Sequence, residues 1–565
     1  MNGLFLLIIS VIVLTLAYLL YGRLLTRIWG IDPDKKTPAY EYEDGGEYVP
    51  TTPAVAFGYE FASIAGAGPI NGPIIAAMFG WLPAFLWLLL GSAFFGAVHD
   101  FAALYTSVKN KGKSIGYLIE LYVGKAGKRL FLIFTWLFSI LIAAAFADIV
   151  AGTFAGLDAA GVRIQTNASV ASTSCYFIPA AVGLGLLIRK RKASDLASGI
   201  VAIDLLIICI ILGIFFPLFL PKATWLYLVF GYIFVASVVP IWAMGQPRNY
   251  LNSFLLVAMI LAAFIGVVLT RPAIAIPAFI AFEVNGSYLF PALFITIACG
   301  AISGFHSLVA TGTVSKQISN EKYMLPISYG SMLVETLVAI LALISVGSLA
   351  QGGVLPKETP PVIFATAVSG FLHQLGLPYP ISFTIVSLAV SSFILTTLDT
   401  VARLGRLSFQ ELFLSEYENS KSENLIYRVL KTKPAAAVFT LVPACLLAIL
   451  GYESIWALFG AANQLLAVLT LIACTLFFRK TGRRVVMLLV PTIIMLVVTF
   501  SSLILSIRDR TILILQGNSN TAVLGLQISI AALLLILGIL VVVACTVKLL
   551  EKSQSVLPAP EAPAG

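Results

Sequence analysis

The sequence predicts an all-α integral membrane protein of about fifteen spans, built on two five-helix repeats of opposite orientation, each opening on a discontinuous helix. Three observations predict it. Hydrophobic residues make up 59% of the chain and charged residues 11%, against about 25% charged in a typical soluble domain. Apolar runs of about 20 residues, long enough to cross a hydrocarbon core, recur from end to end. Two of these runs, "FASIAGAGPINGP" from Phe61 and "FITIACGAISGFHSLVATGT" from Phe294, are interrupted by glycine and proline. These are the poorest helix formers, and an unpaired backbone group in hydrocarbon costs several kcal/mol.

The first segment, residues 3–22, lacks a basic n-region and a small-residue cleavage site, so it reads as a retained helix. Further spans are expected at 53–80, 83–108, 130–156, 174–188, 196–219, 223–244, 250–270, 286–316, 325–349, 378–402, 434–451, 453–477, 485–506 and 523–547. With the N-terminus outside, 29 of the 35 Lys and Arg fall on cytoplasmic segments. That is the positive-inside pattern, and it sets the C-terminus in the cytoplasm. The net charge of +9 is thereby spent on topology, and no nucleic-acid partner is expected. "RKRK" (189–192) and "RKTGRR" (479–484) read as topology anchors. The polar stretches 26–52, 357–376 and 410–433 are expected to be connections, and the Pro/Ala-rich tail to be disordered.

Six cysteines are scattered singly without a CxxC pair, so neither a disulfide framework nor a zinc site is suggested. HExxH, GxSxG and GxxxxGK[ST] are absent, which argues against a hydrolase or an ATP-driven pump. No soluble output domain of a nutrient sensor is apparent; a channel is the remaining rival to a transporter. No organic cofactor is expected.

The two interrupted spans run in opposite directions in this topology. A pair of interrupted spans in corresponding positions of two halves points to a transporter binding site, where half-helix ends and freed carbonyls face the ligand. The competing reading is that such glycines only let helices pack closely. The expected division is an N-terminal helix and loop (1–52), a first repeat (53–219), two inserted helices (220–285), an inverted repeat (286–477), and two C-terminal helices with the tail (478–565). Ligand contacts are expected from Gly66, Ala67, Gly68 and Asn71 in the first break, and from Gly300, Ser303, Gly304 and His306 in the second.

"FASIAGAGPINGPIIAAMFGWLPAFLW", "GAVHDF", "QPRNYLNSF", "LFITIACGAISGFHSLVATGT", "TTLDTVARLGR" and "LFGAANQLLA" together resemble the carbon starvation protein A family, over nearly the whole chain from about Ile31. The resemblance implies a leucine-transporter-type inverted repeat and an inner-membrane symporter for peptides or pyruvate. Its partners would be that small solute and the surrounding lipid. Some members carry Gln where this chain has His99, which puts more weight on Asp100.

Intramembrane acids are costly and mark function by default. Asp100, Asp148, Asp204, Glu335 and Asp399 fall within expected spans, and Glu60 lies just before the first break. Glu60, His99, Asp100 and Asp399 are expected to couple or gate. Asp148 and Asp204 could equally pair with basic residues. A sodium site is expected from Thr396 and Thr397 with a carbonyl near Ala65, because in the implied fold the matching helix supplies hydroxyls to sodium. The alternatives are a proton carried on Asp399 or His306, hydroxyls bonded back to their own helix, and an i,i+4 pair between Asp399 and Arg403.

Overall fold

A computed structural model describes residues 2–45, 47–191, 195–239, 245–417, 429–430, 432–517 and 520–550. Among the described residues the protein is mostly helical, with one hairpin of two-residue strands (Glu283–Val284 with Ser287–Tyr288). Among the described residues, nine helices are long and apolar enough to cross a membrane. The number is ten if one bent pair counts as a span. The "RKRK" anchor falls partly outside the described residues.

In chain order the main helices are α1 (Gly3–Trp29), the bent pair α2 (Pro53–Ile64) and α3 (Gly68–Ala76), α4 (Trp81–Lys109) and α5 (Lys125–Phe154). Next come α6 (Gln165–Arg191), α7 (Asp195–Phe215), α8 (Lys222–Val238) and α9 (Gly245–Thr270). A second broken helix follows as α10 (Leu289–Thr296), α11 (Ala298–Ala301) and α12 (Gly304–Gly312). The remainder are α13 (Ser331–Leu349), α14 (Pro360–Gln374), α15 (Tyr379–Tyr417), α16 (Lys433–Ala448), α17 (Tyr452–Lys480), α18 (Val486–Leu515) and α19 (Thr521–Leu550).

The core is the crossing of α5 with α15, onto which α16 and α17 pack. α5 begins and α15 ends well beyond the hydrocarbon-length spans expected from apolarity alone. The stretch 357–376, expected as a connection, contains α14. It starts after Thr359 on two prolines, where missing amide hydrogens cost nothing. Ile363, Phe364, Ala367, Val368 and Phe371 recur at helical spacing and are buried against α13, α15 and α9. At 15 residues it is too short to span.

α8 packs on α5, α15 and α16, while α16 packs on α5, α15 and α8. α9 packs chiefly on α15, α6 and α14, with lighter contact to α13 and α2, while α17 packs on α18, α5, α19, α12 and α4. α7 leans mainly on α6, and the two form a hairpin. Residues 30–52 fold back over one end of the bundle. There the amides of Val49 and Thr51 donate to Lys316 and Gln317 carbonyls (3.2 and 3.1 Å). Glu321 accepts from Lys109 (2.6 Å) and from the Asp32 amide (3.0 Å).

Small residues set how closely the core helices approach. At Gly405, in α15, an added Cβ would lie 2.7 Å from Thr440 Cγ2 of α16 and 2.9 Å from Ser139 Cβ of α5. Gly405→Leu is expected to wedge this three-helix contact and destabilise the fold by about 1–3 kcal/mol. The check is a lowered thermal unfolding midpoint of the purified protein; an unchanged midpoint would show that the crossing can open without cost.

Candidate functional site

The chain stops being helical at Ala65 (φ −73°, ψ 52°) and resumes at Gly68, with a bend of 47° between α2 and the helix that follows. Proline at the start of α3 suits a helix that begins there. In the second break α10 gives way to the single turn α11, then Ile302 and Ser303 are extended (φ −157° and −129°) before α12. Both interruptions are narrower than the glycine content suggests. Gly68 and Asn71 already lie in α3, Gly300 lies in α11, and Gly304 and His306 lie in α12.

The two breaks touch. A Cβ on Gly68 would overlap Cys299, and one on Gly72 would lie 2.6 Å from the Thr296 carbonyl oxygen. Gly66 faces α15, where its Cβ would come within 2.7 Å of Thr397 Oγ1. These glycines therefore serve close approach between chain segments as well as the break itself. Between them lies a cavity of only about 10 Å³, room for about one water, lined by Gly66, Gly68, Cys299, Ser303 and Thr397 and walled by Phe146, Phe305 and Phe459.

Freed polar groups of the second break are met from α17. Asn463 Oδ1 accepts from the Phe305 amide (3.0 Å), and its Nδ2 donates to Ser303 Oγ (3.1 Å). Gln464 Nε2 donates to the Phe294 carbonyl (2.6 Å). Asn463 and Gln464 stand in the string "LFGAANQLLA", yet their task depends on a neighbour 160 residues away. Asn71, by contrast, is fully buried with neither amide atom hydrogen-bonded.

Beside the breaks lies a wholly buried cluster of ionisable groups. Asp100 sits between two imidazoles, with His99 Nδ1 2.8 Å from Oδ1 and His306 Nδ1 2.8 Å from Oδ2. On the far side of the His306 ring, Nε2 is 3.2 Å from Glu335 Oε2, close enough for an ion pair though not aligned as a hydrogen bond. Glu60 of α2 completes the group within electrostatic reach of Asp100, His306 and Glu335. Neither of its oxygens has a hydrogen-bond partner. π-helical turns at Ser92–Gly96 and Leu325–Gly330 stand about one turn before Asp100 and Glu335; such turns recur at functional sites. Chemically, an imidazole between two carboxylates repels one of them unless a further proton is present on the ring or on an acid. The arrangement therefore retains a proton on the ring or on one of the acids.

Asp399 and the two threonines form a separate group. Asp399 Oδ2 is 2.8 Å from Arg248 Nη1 of α9 and accepts from the Tyr232 hydroxyl of α8 (3.0 Å). Thr396 Oγ1 accepts from Arg248 Nη2 (3.0 Å) and Asn252 Nδ2 (2.7 Å) and donates to the Ser392 carbonyl (2.9 Å). A guanidinium thus stands at the hydroxyl where sodium was expected. Thr397 instead donates to Phe393 and faces Gly66, and Ala65 is the first residue of the break. Arg248 was not singled out from sequence, because four residues into α9 it reads as a loop charge. Asp148 pairs with Lys222 (2.8 Å) and accepts from the Tyr452 amide (2.9 Å), a structural use. Asp204 and His373 are exposed.

Two discontinuous helices in contact at their breaks, with buried ionisable groups at their side, define a polytopic membrane transporter rather than an enzyme. The chain belongs to the carbon starvation protein CstA family, whose pattern it matches over residues 2–356 and 352–502. It is 33% identical to the peptide transporter CstA of Bacillus subtilis (84% of each chain). It is 31% identical to that of Escherichia coli (89% of this chain, 80% of the relative). The pyruvate/proton symporter BtsT of Escherichia coli is 35% identical over 66% of this chain and 53% of its own. Among solved structures, a variant of the Eremococcus coleocola manganese transporter superposes with TM-score 0.50 at 12% identity, covering 89% of this chain and 99% of that one. This likeness carries the leucine-transporter fold and nothing of the cargo.

Replacing Gly68 with alanine is expected to abolish uptake by the reconstituted protein while leaving it folded, since the methyl collides with Cys299 across the breaks. Adding Cys299→Gly should restore a substantial part of it. If Gly68→Ala transports at the wild-type rate, the two breaks do not need this contact.

Proposed function

We propose that the protein is a proton-coupled secondary transporter that brings a small carboxylate-bearing nutrient, a peptide or a pyruvate-like acid, across the inner membrane when carbon is scarce. The observation that carries this reading is His306, held between Asp100 and Glu335 at the second break. A proton needs such a carrier, whereas sodium needs a cage of free oxygens. The names of the relatives, peptide transporters and a pyruvate/proton symporter, support the cargo class and the ion. The engagement of Thr396 by Arg248 and Asn252 favours the proton over sodium. In this reading Gly66, Ala67, Gly68, Asn71, Gly300, Ser303 and Gly304 shape the solute cavity, and Glu60, His99 and Asp100 tune His306.

The matched surroundings of α8 and α16 support a redrawn first repeat of α2–α5 followed by α8 and α9. Its inverted copy runs from α10 to α17, with α14 as an added helix between α13 and α15. The inserted pair is then the α6–α7 hairpin, not the helices between 220 and 285. Fifteen spans and an outside N-terminus are compatible with either division, since a hairpin preserves parity. In a background without native cysteines, a cysteine near Lys222 is expected to react with an impermeant thiol reagent in intact cells, and one near Lys111 to resist it. The reverse pattern would invert both repeats.

Coupling is tested in proteoliposomes offered pyruvate or dialanine under imposed gradients. Uptake should follow an inward proton gradient and ignore sodium. His306→Gln and Glu335→Gln should impair concentrative uptake more than exchange of labelled solute across equal concentrations. Uptake driven by sodium and indifferent to the pH gradient would overturn the proton reading.

A further inference from the structure

We propose that Arg248 receives the carboxylate of the transported solute, with Asp399 as the resident counter-ion that it exchanges for the solute. The inference rests on the reading above that the cargo carries a carboxylate, and it assigns the group that recognises it.

Arg248 is only 2% exposed. A guanidinium offers five donors in a planar fork that matches a carboxylate through two parallel hydrogen bonds. Here that fork is half used. Nη2 donates to Thr396, and Nη1 approaches a single oxygen of Asp399 at 2.8 Å. Nε has no partner, and neither does the other Asp399 oxygen, Oδ1. Tyr232 lies under the guanidinium, 5.3 Å from the ring centroid, and fixes its plane.

Charge counts the same way. The charged and titratable groups around Asp399 are Arg248 from α9, Tyr232 from α8 and Arg403 from its own helix, with Tyr59 of α2 beyond Arg403. Arg403 stands one turn along α15, and its Nη2 is buried without a hydrogen-bond partner. Arg403 is half-buried and beyond ion-pair distance of Asp399, so the neighbourhood holds two arginines and one carboxylate. A second carboxylate balances the set: the solute's acid takes Arg248, and Asp399 turns to Arg403.

Position supports the exchange. Thr397 lines the cavity opposite Gly66, and the adjacent Thr396 holds Arg248. Arg248 does not line the cavity itself; it stands on the neighbouring face of α15, about 100° around the helix from Thr397. The ligand class is a monocarboxylate or a free peptide C-terminus; the corresponding ester or amide should not bind in the same way.

The experiment is equilibrium binding to the purified protein by isothermal titration, using pyruvate, methyl pyruvate, dialanine and dialanine amide. The wild type is expected to bind the acid of at least one pair roughly 10- to 100-fold more tightly than its ester or amide. Arg248→Lys should lose most of that preference, because an ammonium cannot form the fork. Asp399→Asn should bind the acid more tightly than the wild type. Arg248→Met combined with Asp399→Leu removes the buried pair together, an exchange that buried ion pairs often tolerate, and should bind acid and ester alike. Equal wild-type affinity for acid and ester, or a double variant that still prefers the acid, would make the pair purely structural. Binding of neither acid by the wild type would overturn the cargo reading as well. Because no gradient is applied, the outcome does not depend on which ion couples.

Discussion

The His306 imidazole, clamped between Asp100 and Glu335, is the interaction on which the closed arrangement turns. It joins α12, the limb that follows the second break, to α4 and α13, in a place from which water is excluded. Charges so placed have no alternative partner, so loss of any one member strands the others at a cost of several kcal/mol. The same economy explains why the cluster is dense. Asp100 is buried without penalty only because two ring nitrogens reach it, and His306 because carboxylates lie on both sides of its ring.

Such a clamp needs its helices to come closer than side chains ordinarily allow. A Cβ on Gly96, one turn before Asp100, would collide with the Ala301 carbonyl beside the second break, and Gly304 is pressed against the α17 backbone at Asn463 and Ala467. Glycine at these positions brings α4 and α17 onto the broken helix, and that approach delivers Asp100 and Asn463 to it. The packing reading and the binding-site reading of the glycines are thus not rivals. Close packing is what places the polar groups.

This dual use explains which parts of the site were legible in the sequence. Both breaks announced themselves through composition, and Asp100 and His306 stood out because ionisable residues are rare within apolar runs. Glu335 stood out for the same reason, but nothing local tied it to His306. Arg248 was hidden by its place near the start of α9, where an arginine reads as a topology charge until the fold buries it beside Asp399. Asn463 and Gln464 carry no charge and sit in an otherwise ordinary span. Which helix pair is inserted is not legible for a related reason. Parity requires an inserted pair without saying which, and the packing partners of each helix appear only in the fold. For α14 the lapse was one of scale, since a 15-residue amphipathic helix falls below the length that signals a span.

The two buried charge groups are not independent, and the reason lies in two consecutive residues of α2. Glu60 reaches the His306 cluster, while Tyr59 adjoins Arg403 and Thr313. Neighbouring residues on a helix point about 100° apart, as 3.6 residues per turn requires. A short helix that ends in a break can therefore face two sites at once. α2 is such a helix, free at Ala65 and anchored at its other end where Val49 and Thr51 bond to the segment after α12. Any displacement of α2 alters the surroundings of His306 and of Asp399 together. Linkage between two ligands requires an element whose position both of them bias. The first half of the first broken helix meets that requirement by geometry, without a wire of intervening side chains. Proton and solute would communicate through the position of one helix, which the break at Ala65 to Ala67 separates from α3.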